Sequence, residues 1–233
     1  MNRKLIVVLG IVIIVAVGVV AVTLYLMRLN GNDSNGNLPP TFDPGNRYDS
    51  TDLDYMDVIY ESQSDIHAFN EGYSESTNCP WGAIHKGIDY FFNNGSTVIA
   101  AAPGQVEEIS VTDHGEGVDN RFHISVNIKF NQTVRIQYNF EPWTQDPLDK
   151  DRQLAMFNVQ EGDWVAIGEE IATFLQIAGS AHIHFGVYDD DVGVEDPVGG
   201  SGVCPRPYFS AEGYAEIMSL IHSYHPGWEL CYP

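Results

Sequence analysis

The sequence predicts an all-β domain, an antiparallel β-sheet or sandwich, carried behind an N-terminal transmembrane helix and closed by one short C-terminal helix. Three observations predict it. Between about residues 55 and 190 the chain runs as short β-branched and aromatic segments: "TVIAAA", "GQVEEISV", "RFHISVNIKF", "TVRIQYNF", "DWVAIG", "EIATFL" and "AHIHFGVY". Gly, Asn and Asp separate them, which is the punctuation of antiparallel strands and not of βαβ units. The first thirty residues hold an uncharged run from Leu5 to Met27, long enough to cross a bilayer. Near the C-terminus, "SAEGYAEIMSLIHSYH" sets apolar residues at helical spacing behind Ser210, a residue type that caps helix N-termini.

The apolar run ends in "LYLMRLN", with no small-residue cleavage site, so residues 1–30 read as a retained anchor and not as a cleaved signal peptide. Arg3 and Lys4 before the run, against Arg28 after it, orient the N-terminus inside and the domain on the extracellular side of the cell membrane. Residues 31–54 are rich in Asn, Gly, Pro and Asp and read as a flexible linker. The β domain is expected over 55–195, and a C-terminal extension with one helix over 196–233.

The formal net charge is −21, and beyond residue 30 there are 8 basic against 32 acidic side chains. Such a surface repels phosphate backbones and excludes nucleic acid as a partner. Three cysteines, Cys79, Cys204 and Cys231, allow at most one internal disulfide. Cys204 and Cys231 bracket the terminal helix and are the preferred pair; three unpaired thiols would suit a cytoplasmic domain instead. Sequons at Asn32, Asn94 and Asn131 permit glycosylation outside the cell, although such short motifs recur by chance.

The chemistry sits in two short motifs. In "AHIHFGVY", His182 and His184 are two apart on a strand and point to one face, roughly 7 Å apart. One can ligate a metal while the other stands beside the reacting water. In "HKGIDYF", His85 and Asp89 are four apart and share a face of an extended segment. Two histidines, one carboxylate and an open fourth position form the ligand set of a hydrolytic zinc site. The other histidines read as surface or satisfied groups: His67, His222 and His225 lie outside the motifs, His114 falls in a loop, and His123 opens a strand, where it could line the groove but reads first as solvent-facing or satisfied. "DDD" at 189–191 lacks the spaced ligands of a calcium loop.

On these residues the sequence resembles the lysostaphin-type zinc endopeptidases, cell-wall peptidases whose signature is HxxxD followed downstream by HxH. The resemblance covers roughly residues 80–190 and includes the glycine-turn strands "GSTVIAAAPGQVEEISV" and "VQEGDWVAIGEEIATF". It implies a small antiparallel sheet with a metal groove on one face, Zn2+ held by His85, Asp89 and His184, and His182 as the unliganded histidine that handles protons or steadies the transition state. It also implies a cell-wall or envelope peptide as substrate.

The family usually carries a further catalytic histidine in a Tyr-x-His-Leu strand, and "IQYNFEP" puts Asn139 at that place. An amide can donate to a developing oxyanion but cannot exchange a proton near neutral pH, which makes Asn139 a catalytic candidate in a slow enzyme. A slip of one residue would put the phenol of Tyr138 on the site face instead. Two readings from other classes stand beside the zinc metallohydrolase. One is a catalytically weakened, zinc-retaining binding or regulatory module. The other is a biotinyl- or lipoyl-carrier-like hammerhead, which would need a lysine at its hairpin tip and leaves both histidine motifs unexplained.

Overall fold

The computed structural model describes residues 53–192 and 202–233. The anchor expected over 1–30 and nearly all of the linker expected over 31–54 lie outside the described residues. Among the described residues no helix is long and apolar enough to cross a membrane.

Among the described residues twelve strands and two α-helices follow in chain order: β1 (Ile66–Phe69), β2 (Tyr73–Ser74), β3 (Ile88–Phe92), β4 (Thr97–Ile99), β5 (Gly104–Asp113), β6 (Phe122–Lys129), β7 (Val134–Glu141), α1 (Pro147–Leu154), β8 (Trp164–Val165), β9 (Glu170–Thr173), β10 (His182–Asp189), β11 (Gly202–Val203), α2 (Ala211–Tyr224) and β12 (Cys231–Tyr232). The main sheet runs β1-β3-β10-β7-β6-β5-β8, with β11 added beside β10, and every pairing in it is antiparallel. Two-stranded ribbons form from β4 with β9 and from β12 with β2.

Alternation along the strands separates two faces, because successive side chains point to opposite sides. Phe122, Ile124, Val126 and Ile128 of β6, Ile136, Tyr138 and Phe140 of β7, and Ile183, Phe185 and Val187 of β10 all enter the core. His123, Ser125, Asn139, Glu141, His182 and His184 take the intervening positions. The sheet is therefore apolar on one side and polar on the other, as the strand pattern predicts, and the polar side carries both histidines of HxH.

The C-terminal segment is bound into the same core, where Ile217, Leu220, Ile221 and Leu230 are buried together with Leu53, Met56 and Ile59 from the start of the described chain. Ser210 caps α2 as expected, its hydroxyl accepting from Gly213 N at 2.9 Å. Helix α1 is an addition to the fold read from the sequence. Asp146 caps it by accepting from Leu148 N, and Pro147 opens it, a position where proline costs no hydrogen bond. Its eight residues carry too few apolar side chains for helical spacing to stand out.

Cys204 and Cys231 form a disulfide with a Cα–Cα distance of 6.0 Å, the preferred pairing, and Cys79 is free. The bond staples the tail beside β2: β12 pairs with it in parallel, and Tyr73 N donates to Leu230 O at 3.0 Å. Of the sequons, Asn131 is buried and its side chain accepts from Val134 N at 2.7 Å, a turn role that competes with glycosylation.

Candidate metal centre and its groove

Two elements bring the motif residues together. His85 lies just before β3 and Asp89 within it, while β10 carries His184 directly across from Asp89. His85 Nε2 and His184 Nδ1 are 2.9 Å apart, His184 Nδ1 and Asp89 Oδ1 3.0 Å, and His85 Nε2 and Asp89 Oδ1 3.2 Å. Three atoms each about 2.0–2.1 Å from one tetrahedral zinc lie roughly 3.3–3.4 Å from each other. The triangle is a little tighter than that and of the right shape, and the donor set of two imidazole nitrogens and one carboxylate oxygen suits zinc. The residues fit the ion.

Backbone carbonyls fix the ligands. Gly72 O accepts from His85 Nδ1 at 2.7 Å, which sets the tautomer and leaves Nε2 with its lone pair facing the cluster. Glu71 O accepts from Asp89 N at 3.0 Å, and the Glu71 carboxylate stands 4.0 Å from His85 Nε2. Gly87, between the two ligands of HxxxD, allows β10 to come close: a Cβ there would overlap the His184 ring and lie 2.7 Å from Phe185 O.

Electrostatics follow from this packing. Burial alone would raise the Asp89 pKa, but hydrogen bonds from His184 and His85 and the charge of His182 outweigh it and hold the carboxyl well below its usual range. Burial alone would lower the His85 pKa, but hydrogen bonding and charge from Asp89, with Gly72 and Glu71 adding, raise it to about 9. Both shifts have one cause: the cluster favours positive charge beside the Asp89 carboxylate, where a cation would sit.

The second histidine of the HxH pair is placed apart from this triangle. His182 Nδ1 donates to Ser180 O at 2.8 Å, so Nε2 faces the groove, 3.6 Å from Asp89 Oδ1 and 3.5 Å from Glu141 Oε2. Phe91 stacks on its ring with centroids 4.9 Å apart. Trp143, a non-glycine residue with a left-handed φ of 51°, holds a 38 % exposed side chain with its ring 6.5 Å from that of His182.

Asn139 lies on the polar face, across from His184 on one side and Ser125 on the other. Tyr138 is fully buried beneath it, with its hydroxyl accepting from Ala101 N at 2.7 Å, so the register places the amide on the site face and the phenol in the core. The Asn139 amide is already engaged: Ser125 Oγ donates to Oδ1 at 3.0 Å, and Nδ2 contacts Glu141 Oε1 at 2.7 Å and His123 Nδ1 at 3.4 Å. A donor role toward an oxyanion would require releasing one of these contacts.

Two contributors escape the sequence reading, and a third is assigned there to the surface in preference to the groove. Gly72 lies in a connection with no motif. Glu141 is an ordinary acid two residues after Asn139, and only the strand register reveals that it faces His182. His123 takes the groove-lining place that its strand position leaves open, with Nε2 3.6 Å from Glu141 Oε2. Burial lowers its pKa, the charge of Glu141 opposing and those of His114, His182 and His184 adding.

No family model matches the sequence, and no characterised relative does. Solved structures similar to the chain include lysostaphin from Staphylococcus simulans, at 18% identity and a TM-score of 0.40 over 66% of this chain and 54% of that one. A zinc-containing peptidase from Vibrio cholerae matches at 17% and 0.39, over 59% of this chain and 37% of that one. Helicobacter pylori Csd3 matches at 17% and 0.40, over 66% and 33%. The chain thus spans between a third and about half of these proteins.

Proposed function

We propose that this chain is a membrane-anchored zinc metallohydrolase, an endopeptidase that cleaves peptide bonds in an extracellular cell-wall or envelope polymer. The convergence of His85 Nε2, Asp89 Oδ1 and His184 Nδ1 into one triangle carries the reading. Zinc bound there supplies Lewis acidity, lowering the pKa of water toward neutrality and polarising a carbonyl. The chain's own groups do the rest: Gly72 and Glu71 orient the ligands, His182 presents Nε2 to the groove, and Trp143 offers an exposed aromatic surface at its edge. The uncharged run from Leu5 to Met27 supports the anchor and the extracellular placement.

Metal analysis of the full chain in detergent should find one zinc per molecule, removable by chelation, and the loaded protein should release new amine ends from purified wall peptide. Absence of zinc would end the reading. Protease added to intact cells should remove the domain; complete protection would take away the wall substrate. The engaged Asn139 amide favours a second reading, a zinc-retaining wall-binding module. That reading predicts bound zinc and bound wall polymer without any new amine ends.

A further inference from the structure

We infer that Glu141 is the proton-transfer group of this site and that Asn139 is a positioning residue that holds its carboxylate; the inference rests on the hydrolase reading above. The motif puts Asn139 where a catalytic imidazole is expected, but the fold puts a different side chain opposite the free histidine. His182 pairs across β10 and β7 with Glu141, while Asn139 pairs with His184. Glu141 Oε2 lies 3.5 Å from His182 Nε2, which in turn lies 3.6 Å from the ligand atom Asp89 Oδ1. One imidazole separates this carboxylate from the metal triangle.

A carboxylate as buried as Glu141, 9 % exposed, is costly unless its oxygens are hydrogen-bonded. Neighbouring side chains meet that need. Asn139 Nδ2 donates to Oε1 at 2.7 Å and Asn120 Nδ2 donates to Oε2, while Ser125 fixes the far end of the Asn139 amide. The ion-pairing neighbours are His123 and His182, both able to exchange a proton. An amide at Asn139 has no such capacity, whereas a carboxylate 3.5 Å from the His182 imidazole can take up a proton through that ring. In the step, an O–H bond of water breaks as its oxygen bonds to the peptide carbonyl carbon, and the proton passes by way of His182 Nε2 to Glu141 Oε2, 3.5 Å from it. When the C–N bond breaks, that proton passes to the departing amine. Peptide plus water become acid plus amine, and the carboxylate is restored.

The test compares Glu141→Gln, Glu141→His and Asn139→Ala with the wild-type full chain on purified wall peptide, with zinc content measured for each. Glu141→Gln should keep one zinc and lower kcat by about 10²–10⁴-fold with KM little changed. Glu141→His, which restores a proton carrier, should recover about tenfold or more over the Gln variant. Asn139→Ala should lower kcat by roughly tenfold, again with KM unchanged, and decides the matter should Glu141→Gln fail to fold. Loss of zinc in Glu141→Gln would make Glu141 structural and overturn the inference. So would an unchanged kcat in an active, zinc-loaded enzyme, which would leave the hydrolase reading standing. A zinc-loaded wild type that cleaves no wall peptide would overturn both.

Discussion

Side by side on the polar face of the sheet run two rows of side chains: Ser125–Asn139–His184–Asp89, paired by strand register, and His123–Glu141–His182–Phe91, joined by the register of His182 with Glu141 and by side-chain contacts. In the first, which His85 joins from just before β3, the metal-facing atoms of His85, His184 and Asp89 lie 2.9–3.2 Å apart, and two backbone carbonyls pin them. In the second, the imidazole and carboxylate atoms stand 3.5–3.6 Å apart, near enough to exchange protons on a small movement but not locked together. An ion needs lone pairs fixed on one point, whereas proton transfer needs groups within reach of a substrate that arrives between them. The two rows share one face and one set of strands, and their spacing divides the work.

The largest effects should come from breaking the first row, by closing the space that lets it form or by removing a ligand. Gly87→Ala would push a methyl group into the His184 ring and the backbone of Phe185. It should cost about 1–3 kcal/mol of stability by overpacking and lower zinc affinity by at least about 100-fold. His184→Ala should abolish zinc binding, whereas His182→Ala, in the second row, should retain it while losing most turnover. Zinc titration of the three variants checks the division. Equal retention by both histidine variants would erase the distinction between the rows.

A smaller effect on the same row should come from a distance. The Cys204–Cys231 bond holds β12 against β2, and Leu230 O, which accepts from Tyr73 N, lies where a Cβ on Gly72 would meet it at 2.7 Å. Gly72 in turn orients His85. With its ends 27 positions apart in sequence, the bond is worth about 3–4 kcal/mol in the chain-entropy account. Replacing both cysteines with serine should lower the melting temperature and weaken zinc binding by about 10–100-fold, as loss of a ligand's supporting contact does. The pairing of Glu141 with His182 does not pass through the tail, so kcat at saturating zinc should stay close to that of wild type.

The first row should also reverse its pH dependence on taking up zinc. In the metal-free protein the His85 pKa is raised to about 9 from an unfolded value of about 6.5. Its contribution, at most about 3 kcal/mol, is therefore fully present below pH ~6.5 and lost as pH rises through about 9. Zinc competes for the same nitrogen, so its stabilisation grows over that range and fades as the pH falls below it. Melting curves at pH 6 and pH 9, with zinc and with chelator, should show opposite trends. A common trend would mean that His85 does not exchange a proton for the metal.

The two rows also differ in how much of them the sequence disclosed. HxxxD and HxH are local, so alternation alone puts His85 with Asp89 and His182 with His184, and Cys204 and Cys231 pair by flanking one helix. Glu141, His123 and Gly72 gain their roles only from long-range pairing: the β7–β10 and β6–β7 registers and the approach of the 70–74 segment to His85. Nothing in the spacing of "YNFEP" distinguishes a glutamate facing a histidine from one facing solvent. Helix α1 stayed hidden for a related reason, since its capping residues are local but its apolar pattern is too sparse to draw attention.

The smallest effect should come from β7 on the opposite face, where neither row reaches. Tyr138 stands between Gln137 and Asn139 in sequence, but its ring packs edge-on to Phe185 with centroids 5.3 Å apart, and its hydroxyl takes the Ala101 N–H at 2.7 Å. Tyr138→Phe removes that acceptor and leaves a buried N–H without it, a loss of about 1–3 kcal/mol. In a domain of this size that is a fall in melting temperature of roughly 2–4 °C per kcal/mol. Zinc stoichiometry, kcat and KM should not change, because the phenol lies beneath the sheet and the chemistry above it. A Tyr138→Phe protein that melts like wild type yet has lost turnover would place the phenol in the groove. The β7 register would then be shifted by one residue, and Glu141 and Asn139 would both leave the site face.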